Sequence, residues 1–364
     1  MTETSLNRQR LNNTFLQVLK DAICGTLSAS IDVPIKDLLD LASLQSCICL
    51  IVEQLTFYNG LECDRVKTRQ ILYQNYLTHQ LTNHAIAQLN EDLNKAGISG
   101  ILLKGQGIAR LYRTPELRQC GDIDMYVGPD CFDSVKKINF NGMGKDKRPD
   151  DEAKYHITID GIPVEIHKFS SWSRFKREHD RYQAWASRML RETEYATFEG
   201  QLVKVPTVDF NAFFIFYHMW EHFMTIGVGM RQVCDLAVVL NNGTPNKKLL
   251  EDILLKMGLM NPWKAVGCIL VDKLGLAENS FPFYDHSYYN KGMKVLDIIL
   301  KEGNFGKNGT FLKYLPTNKV IRKVYTFFMI FISRLSLFTA FPKELIHSWE
   351  QRLLGGFINV IRRA

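Results

Sequence analysis

Apolar residues return every three or four positions through "RVKTRQILYQNYLTHQLTNHAIAQLNEDLNKAGI", Arg65 to Ile98. That spacing predicts an amphipathic helix, and Gly97 is placed to cap its end. Residues 1–95 as a whole read as helix. After Ile98 the period changes. "ISGILLKG" is a short leucine-rich run that predicts a buried strand, and "QGIARLYR" opens a helix behind it. "GDIDMYV" predicts a second strand, bounded by Gly121 and by Gly128-Pro129. "PDCFDSVKKI" reads as a short helix with Pro129 near its start, and "NFNGMGKDKRPDDEAK" as a polar loop.

"YHITIDGIPVEIHKF" carries the clearest hairpin signal, with Asp160-Gly161 as a two-residue turn between alternating strands. Counting outward from the turn sets Ile159 opposite Ile162, Ile157 opposite Val164 and Tyr155 opposite Ile166, an apolar face. The other face carries Thr158 opposite Pro163 and His156 opposite Glu165, with His167 one step beyond. "YATFEGQLVKVP" suggests a second small hairpin, and from Val208 onward the period is helical again. The fold class expected is α+β: a small mixed sheet over residues 96–206, between helical regions at 1–95 and 207–364.

The second predicted strand poses a problem. Asp122 and Asp124 lie two apart and so project from one face, roughly 7 Å apart along the strand. A buried carboxylate without a partner is expensive, and a divalent cation is an economical way to neutralise two. Glu165, on the polar face of the hairpin, is the natural third carboxylate of such a site. Alone, D-x-D is equally well explained by an exposed strand end.

Taken together, "LLKG", the tyrosine and arginine before "DIDMYV", and the later "VEIH" resemble nucleotidyltransferases of the DNA polymerase beta superfamily. More narrowly they resemble a bacterial nucleotidyltransferase group with an L-K-G…D-I-D…E-I-H pattern. "HFMTIGVGMRQVCDLAVVL" is similar to that group's second motif, so the resemblance runs from about Ile98 to Leu240. It implies transfer of a nucleoside monophosphate from a nucleoside triphosphate to a hydroxyl or phosphate acceptor, with Mg²⁺ or Mn²⁺ as cofactor. Asp122, Asp124 and Glu165 would be the metal ligands and catalytic carboxylates. Lys104, Gly105 and Gln106 would meet the triphosphate, at a turn where the wider superfamily has Gly-Ser. Arg118 would reach a phosphate or pair with Asp122. His167 would orient substrate or hold the carboxylate. His222 and Arg231 of the second motif would line the nucleotide site, with Asp235 as structural support.

Two other readings compete. "HMWEH", His218 to His222, fits the H-x-x-E-H pattern of inverted zinc peptidases, for which Glu302 is an available third ligand. A non-catalytic binding protein on a nucleotidyltransferase fold would instead use its basic C-terminal helices as the working surface.

Composition adds a charge asymmetry. The net charge of the 364-residue chain is +7, yet residues 301–364 hold 11 Lys and Arg against 3 Glu and no Asp. The excess suggests an anionic partner or a membrane surface there; a solvated cationic helix face is the plain alternative. Arg334 interrupts the apolar run "VYTFFMIFISRLSLFTAF", which argues against a spanning helix and for a buried or interfacial one. Basic and aromatic residues do not alternate over any long stretch, so nucleic acid is not favoured as acceptor. Eight scattered cysteines without a C-x-x-C pair, and a polar N-terminus, lead to the expectation of a cytoplasmic protein with free thiols, peripheral to a membrane at most.

Overall fold

The computed structural model describes residues 3–58, 65–173, 175–304 and 316–361. They fall into two compact units: one drawn from Met1–Cys63, Arg174–Lys176 and Ala212–Ala364, the other from Asp64–Ser173 and Arg177–Asn211. The first is helical. It contains α1 (Glu3–Cys24), α2 (Ile35–Leu44) and α3 (Ile48–Leu55). The second unit opens with the long α4 (Arg65–Lys95) and holds the short helices α5 (Gly105–Ala109) and α6 (Phe132–Val135). Next in the chain come α7 (Lys176–Met189) and α8 (Val208–Thr225), then α9 (Met230–Asn242), α10 (Lys247–Lys256) and α11 (Met260–Asp272). The last are α12 (Tyr289–Glu302), α13 (Lys319–Arg334) and α14 (Pro342–Ile361).

The sheet unit has strands β1 (Ile101–Leu103), β2 (Ile123–Tyr126), β3 (Met143–Lys145) and β4 (Lys154–Ile159). β5 (Ile162–His167), β6 (Thr193–Phe198) and β7 (Gln201–Pro206) complete it. They form one mixed sheet in the order β3-β4-β5-β2-β1-β7-β6, so the α+β expectation holds. The β4–β5 register is the one counted from the turn, with Ile157 opposite Val164 and His156 opposite Glu165. Asp160 and Gly161 both take positive φ, as a tight hairpin with right-handed twist requires. β6 and β7 make the second expected hairpin.

Alternation then sorts the faces. Ile123 and Met125 of β2, Ile157 and Ile159 of β4, and Val164 and Ile166 of β5 join a buried core with Ala85, Ile86, Leu89 and Leu93 of α4. Helix α4, grouped by sequence with the N-terminal helical region, thus belongs to the sheet's own core. The residues between those apolar positions, Asp122, Asp124, Glu165 and His167, point the other way. Two local expectations differ in detail. The helix expected after "LLKG" is only five residues long. The polar loop contains the short strand β3, paired with β4.

The helical unit is anchored by buried charge. Arg334 is 1% exposed; its Nη1 and Nη2 lie 2.6 and 2.8 Å from the two oxygens of Glu302. Its Nε and Nη2 also donate to the carbonyl of Phe223. The arginine that breaks the apolar run in sequence is turned inward. Asp21 is likewise buried, and accepts from Thr26 and Ser28 hydroxyls, the Ser28 and Ala29 amides and the Tyr58 hydroxyl. Burial pushes its carboxyl up, but these donors outweigh it and hold Asp21 well below the usual carboxylate range.

Glu302→Gln leaves a buried guanidinium without its counter-charge, and we expect unfolding stability to fall by about 3–5 kcal/mol. The urea midpoint measures it, and Glu302→Leu combined with Arg334→Met should recover much of the loss. Asp21 sets an acid dependence. Its lowered carboxyl contributes stability that is complete above the unfolded-state value of about 3.9 and is lost as pH falls through the folded one. The stability gap between the parent and Asp21→Asn should therefore be largest near neutral pH and shrink on acidification.

Candidate functional site

Parallel pairing of β2 with β5 sets Asp124 beside Glu165 and Tyr126 beside His167. Antiparallel pairing of β4 with β5 adds His156 next to Glu165 and Lys154 next to His167. On the other side, Leu103 of β1 pairs with Asp124, so Lys104 leaves the strand beside that carboxylate. Asp122 immediately precedes β2, two residues before Asp124.

Each carboxylate has found a cation. Asp124 is 5% exposed; its Oδ1 lies 2.8 Å from His167 Nε2 and 3.2 Å from Lys104 Nζ. Glu165 Oε2 accepts from Lys154 Nζ at 2.6 Å and lies 3.5 Å from His167 Nε2. Its Oε1 meets Arg148 Nη1 at 2.5 Å, with His156 Nε2 3.7 Å away. The same Arg148 nitrogen stands 3.3 Å from Asp122 Oδ2, and Nη2 is paired with Asp146 at 2.7 Å. Arg148 therefore ties three carboxylates together.

These contacts sort the carboxylates electrostatically. Burial, and then the charge of Asp124, push the Asp122 carboxyl up against the pull of Lys104 and Arg148. Burial and Asp124 push Glu165 up as well, but Lys154 outweighs them and leaves it below its ordinary value. Burial pulls the Lys154 ammonium down, and Glu165 more than reverses that. Arg148 hydrogen bonding holds Asp146 at about 2.

The backbone at Lys104 is unusual. Its φ of 41° and ψ of −145° lie in a region that favours glycine, at a cost of about 1–3 kcal/mol. The strain aims the ammonium at Asp124. Gly105 follows at φ 44°, a left-handed backbone that glycine adopts without strain.

One oxygen or nitrogen each from Asp124, Glu165 and His167 lie within 4.8 Å of one another. Two carboxylates and an imidazole at that separation fit one divalent cation with modest closure, and the donor set does not select among metals. Asp122 stands beside this trio, two residues before Asp124 and paired with Arg148.

Other sequence candidates have different surroundings. Gln106 is 2% exposed, and its amide is spent on Asn83, the His79 carbonyl and the Cys120 thiol. The Gln106 side chain is thus committed to contacts within the fold. Arg118 is buried with Nη1 3.0 Å from Cys120 Sγ, and it is Arg148 that makes the ion pair on Asp122 described above. His222 and Arg231 lie in the helical unit. There the second motif forms a joint: the Met230 amide donates to Gln45 Oε1, the Arg231 amide to the Gln45 carbonyl, and Gln232 Nε2 to Asn304. Gly229 packs so closely on the Gln45 carbonyl that a Cβ would sit 2.6 Å from it. For the zinc reading, the His218 and His222 rings are 4.2 Å apart, but Glu302 is committed to Arg334. Among the described residues the histidine pair joins no metal-holding group of three.

Sequence reasoning missed Arg148 and Lys154. Lys154 had a usable signal, since it shares the parity of His156 on β4. Arg148 had none, lying in a charged loop without periodicity.

A family model described as an uncharacterised nucleotidyltransferase matches residues 32–270. No curated protein matches the sequence. A solved structure of an antigenic nucleotidyltransferase-like protein from Paracoccidioides brasiliensis is similar at 13% identity and a TM-score of 0.33. That match covers 57% of this chain and 96% of the other.

Arg148→Gln removes the charge that ties Asp122, Asp146 and Glu165. In chelator we expect the variant to be less stable than the parent by about 1–2 kcal/mol, a partly exposed pair being discounted for solvent. Millimolar Mg²⁺ or Mn²⁺ should restore more stability to the variant than to the parent, read by thermal unfolding. Adding Glu165→Gln should abolish that restoration.

Proposed function

We infer that this chain, which belongs to the uncharacterised nucleotidyltransferase family, moves a nucleoside monophosphate from a nucleoside triphosphate to a hydroxyl or phosphate acceptor. The observation that carries this reading is the side-by-side pairing of Asp124 and Glu165 on parallel strands, with His167 closing the trio. In this reading the site is of the polymerase beta type suggested by the "LKG", "DID" and "EIH" segments.

A divalent cation, Mg²⁺ or Mn²⁺, would be held by Asp124 and Glu165, with Asp122 and His167 alongside, and would supply positive charge at the triphosphate. The rest is done by the chain. The acceptor oxygen attacks the α-phosphorus, the bond from that phosphorus to the bridging oxygen breaks, and pyrophosphate leaves. Glu165, kept ionised by Lys154, takes the acceptor proton. Lys104, fixed by its strained backbone, lies beside the carboxylates where triphosphate oxygens approach and offsets their charge. Arg148 exchanges its carboxylate partners for the leaving pyrophosphate. His167 holds Asp124 in one orientation, as a neighbouring imidazole does for a ligating carboxylate.

The reading also carries a compartment. Among the described cysteines, Cys24, Cys47, Cys49, Cys120, Cys131, Cys234 and Cys268 are free thiols, in keeping with a reducing cytoplasm.

The test is transfer of label from α-labelled nucleoside triphosphates into products of a cell extract, with Mg²⁺ or Mn²⁺ present. Asp124→Asn and Glu165→Gln should each lower the rate by at least about a hundredfold, with the circular dichroism spectrum unchanged. Undiminished transfer in either variant would overturn the assignment.

A further inference from the structure

Helix α13 buries one side and bares the other. Ile330 and Arg334 are 6% and 1% exposed, whereas Ile321, Phe328 and Ile332 are 58%, 56% and 55% exposed. Leu335, directly after the helix, is 45% exposed. At about 100° per residue, positions 321, 328, 332 and 335 share one narrow face, and 330 and 334 lie opposite. Phe338 and, on α14, Ile346 are exposed as well. A run of large apolar side chains facing water marks an interaction surface.

The outer face also lacks charge. From Val324 to Pro342 the sequence has a single charged residue, Arg334. That residue is turned inward onto Glu302 and the Phe223 carbonyl. Charge reappears on both sides in sequence, at Lys319, Arg322 and Lys323 before the stripe and at Lys343 and Arg352, with Glu344 and Glu350 between them, after it.

Three occupants compete for such a face. A second copy of this chain would bring two regions of net positive charge together, from Lys319, Arg322 and Lys323 of each, and like charges oppose that. A nucleic acid would match the charge and leave the apolar stripe in water. An anionic lipid surface satisfies both features at once, with apolar side chains at the acyl boundary and Lys and Arg among the headgroups. Among the described residues no helix is long and apolar enough to cross a membrane, which leaves α13 to lie along such a surface.

We propose that α13, with the segment through Phe338 and the start of α14, is an interfacial docking surface for anionic lipid bilayers. It is independent of the reading of the carboxylate site. The inward turn of Arg334 is what makes the face, because it takes the one interrupting charge out of contact with the lipid.

The experiment is flotation of the full chain with vesicles of phosphatidylcholine containing one-third phosphatidylserine, and with phosphatidylcholine alone. Binding to the anionic vesicles should exceed binding to neutral ones by roughly tenfold or more at low salt, and weaken as salt is added. Phe328→Asn with Ile332→Asn should lower it by roughly tenfold or more. Both side chains are exposed, so circular dichroism and the urea midpoint should stay at parental values. Absence of binding to anionic vesicles at low salt would overturn the proposal. So would binding that the double variant leaves unchanged, since charge alone would then account for it. Concentration-dependent self-association in sedimentation, lost in the double variant and unaccompanied by vesicle binding, would overturn it too and assign the face to a second copy.

Discussion

The site depends on one register: Asp124 of β2 beside Glu165 of β5 in a parallel pair. Because side chains alternate, a slip of one residue by β2 would turn Asp124 into the apolar core against α4 and bring Ile123 and Met125 out. The hydrophobic effect on one face thus fixes the positions of charges on the other. The core residues Val164 and Ile166 hold Glu165 and His167 outward as surely as any direct contact to them does.

That register creates a second constraint, since carboxylates placed this close repel. The chain relieves it with cations from three separate places: Lys104 from the end of β1, Lys154 from the start of β4, and Arg148 from the loop between β3 and β4. The question raised by two aspartates in a strand with an apolar face therefore has an answer within the protein. It is also an answer that a divalent cation can take over, because Arg148 reaches in from a loop while the strands supply the rigid donors.

The hairpin was legible because its turn residues and its alternation agree, so pairing followed by counting from Asp160-Gly161. The second strand and its same-face aspartates were legible for the same reason. Legibility failed where geometry is not periodic. Arg148 lies in a charged loop, and β3 is too short and glycine-containing to show alternation. Gln106 shows that adjacency to a predicted turn does not tell which way a side chain faces, since it is consumed by α4 and Cys120. Arg334 failed differently. In sequence it marks an interruption of an apolar run, and only its pairing with Glu302, 32 residues earlier, shows that it lies in the interior.

Lys104 leads to a consequence of a different kind. At φ 41° a glycine there would relax the chain. It would also leave the buried Asp124 with one cation fewer. Backbone ease and charge balance therefore pull on the same codon in opposite directions, and the turn keeps its strain as the cost of a fixed positive charge at that spot.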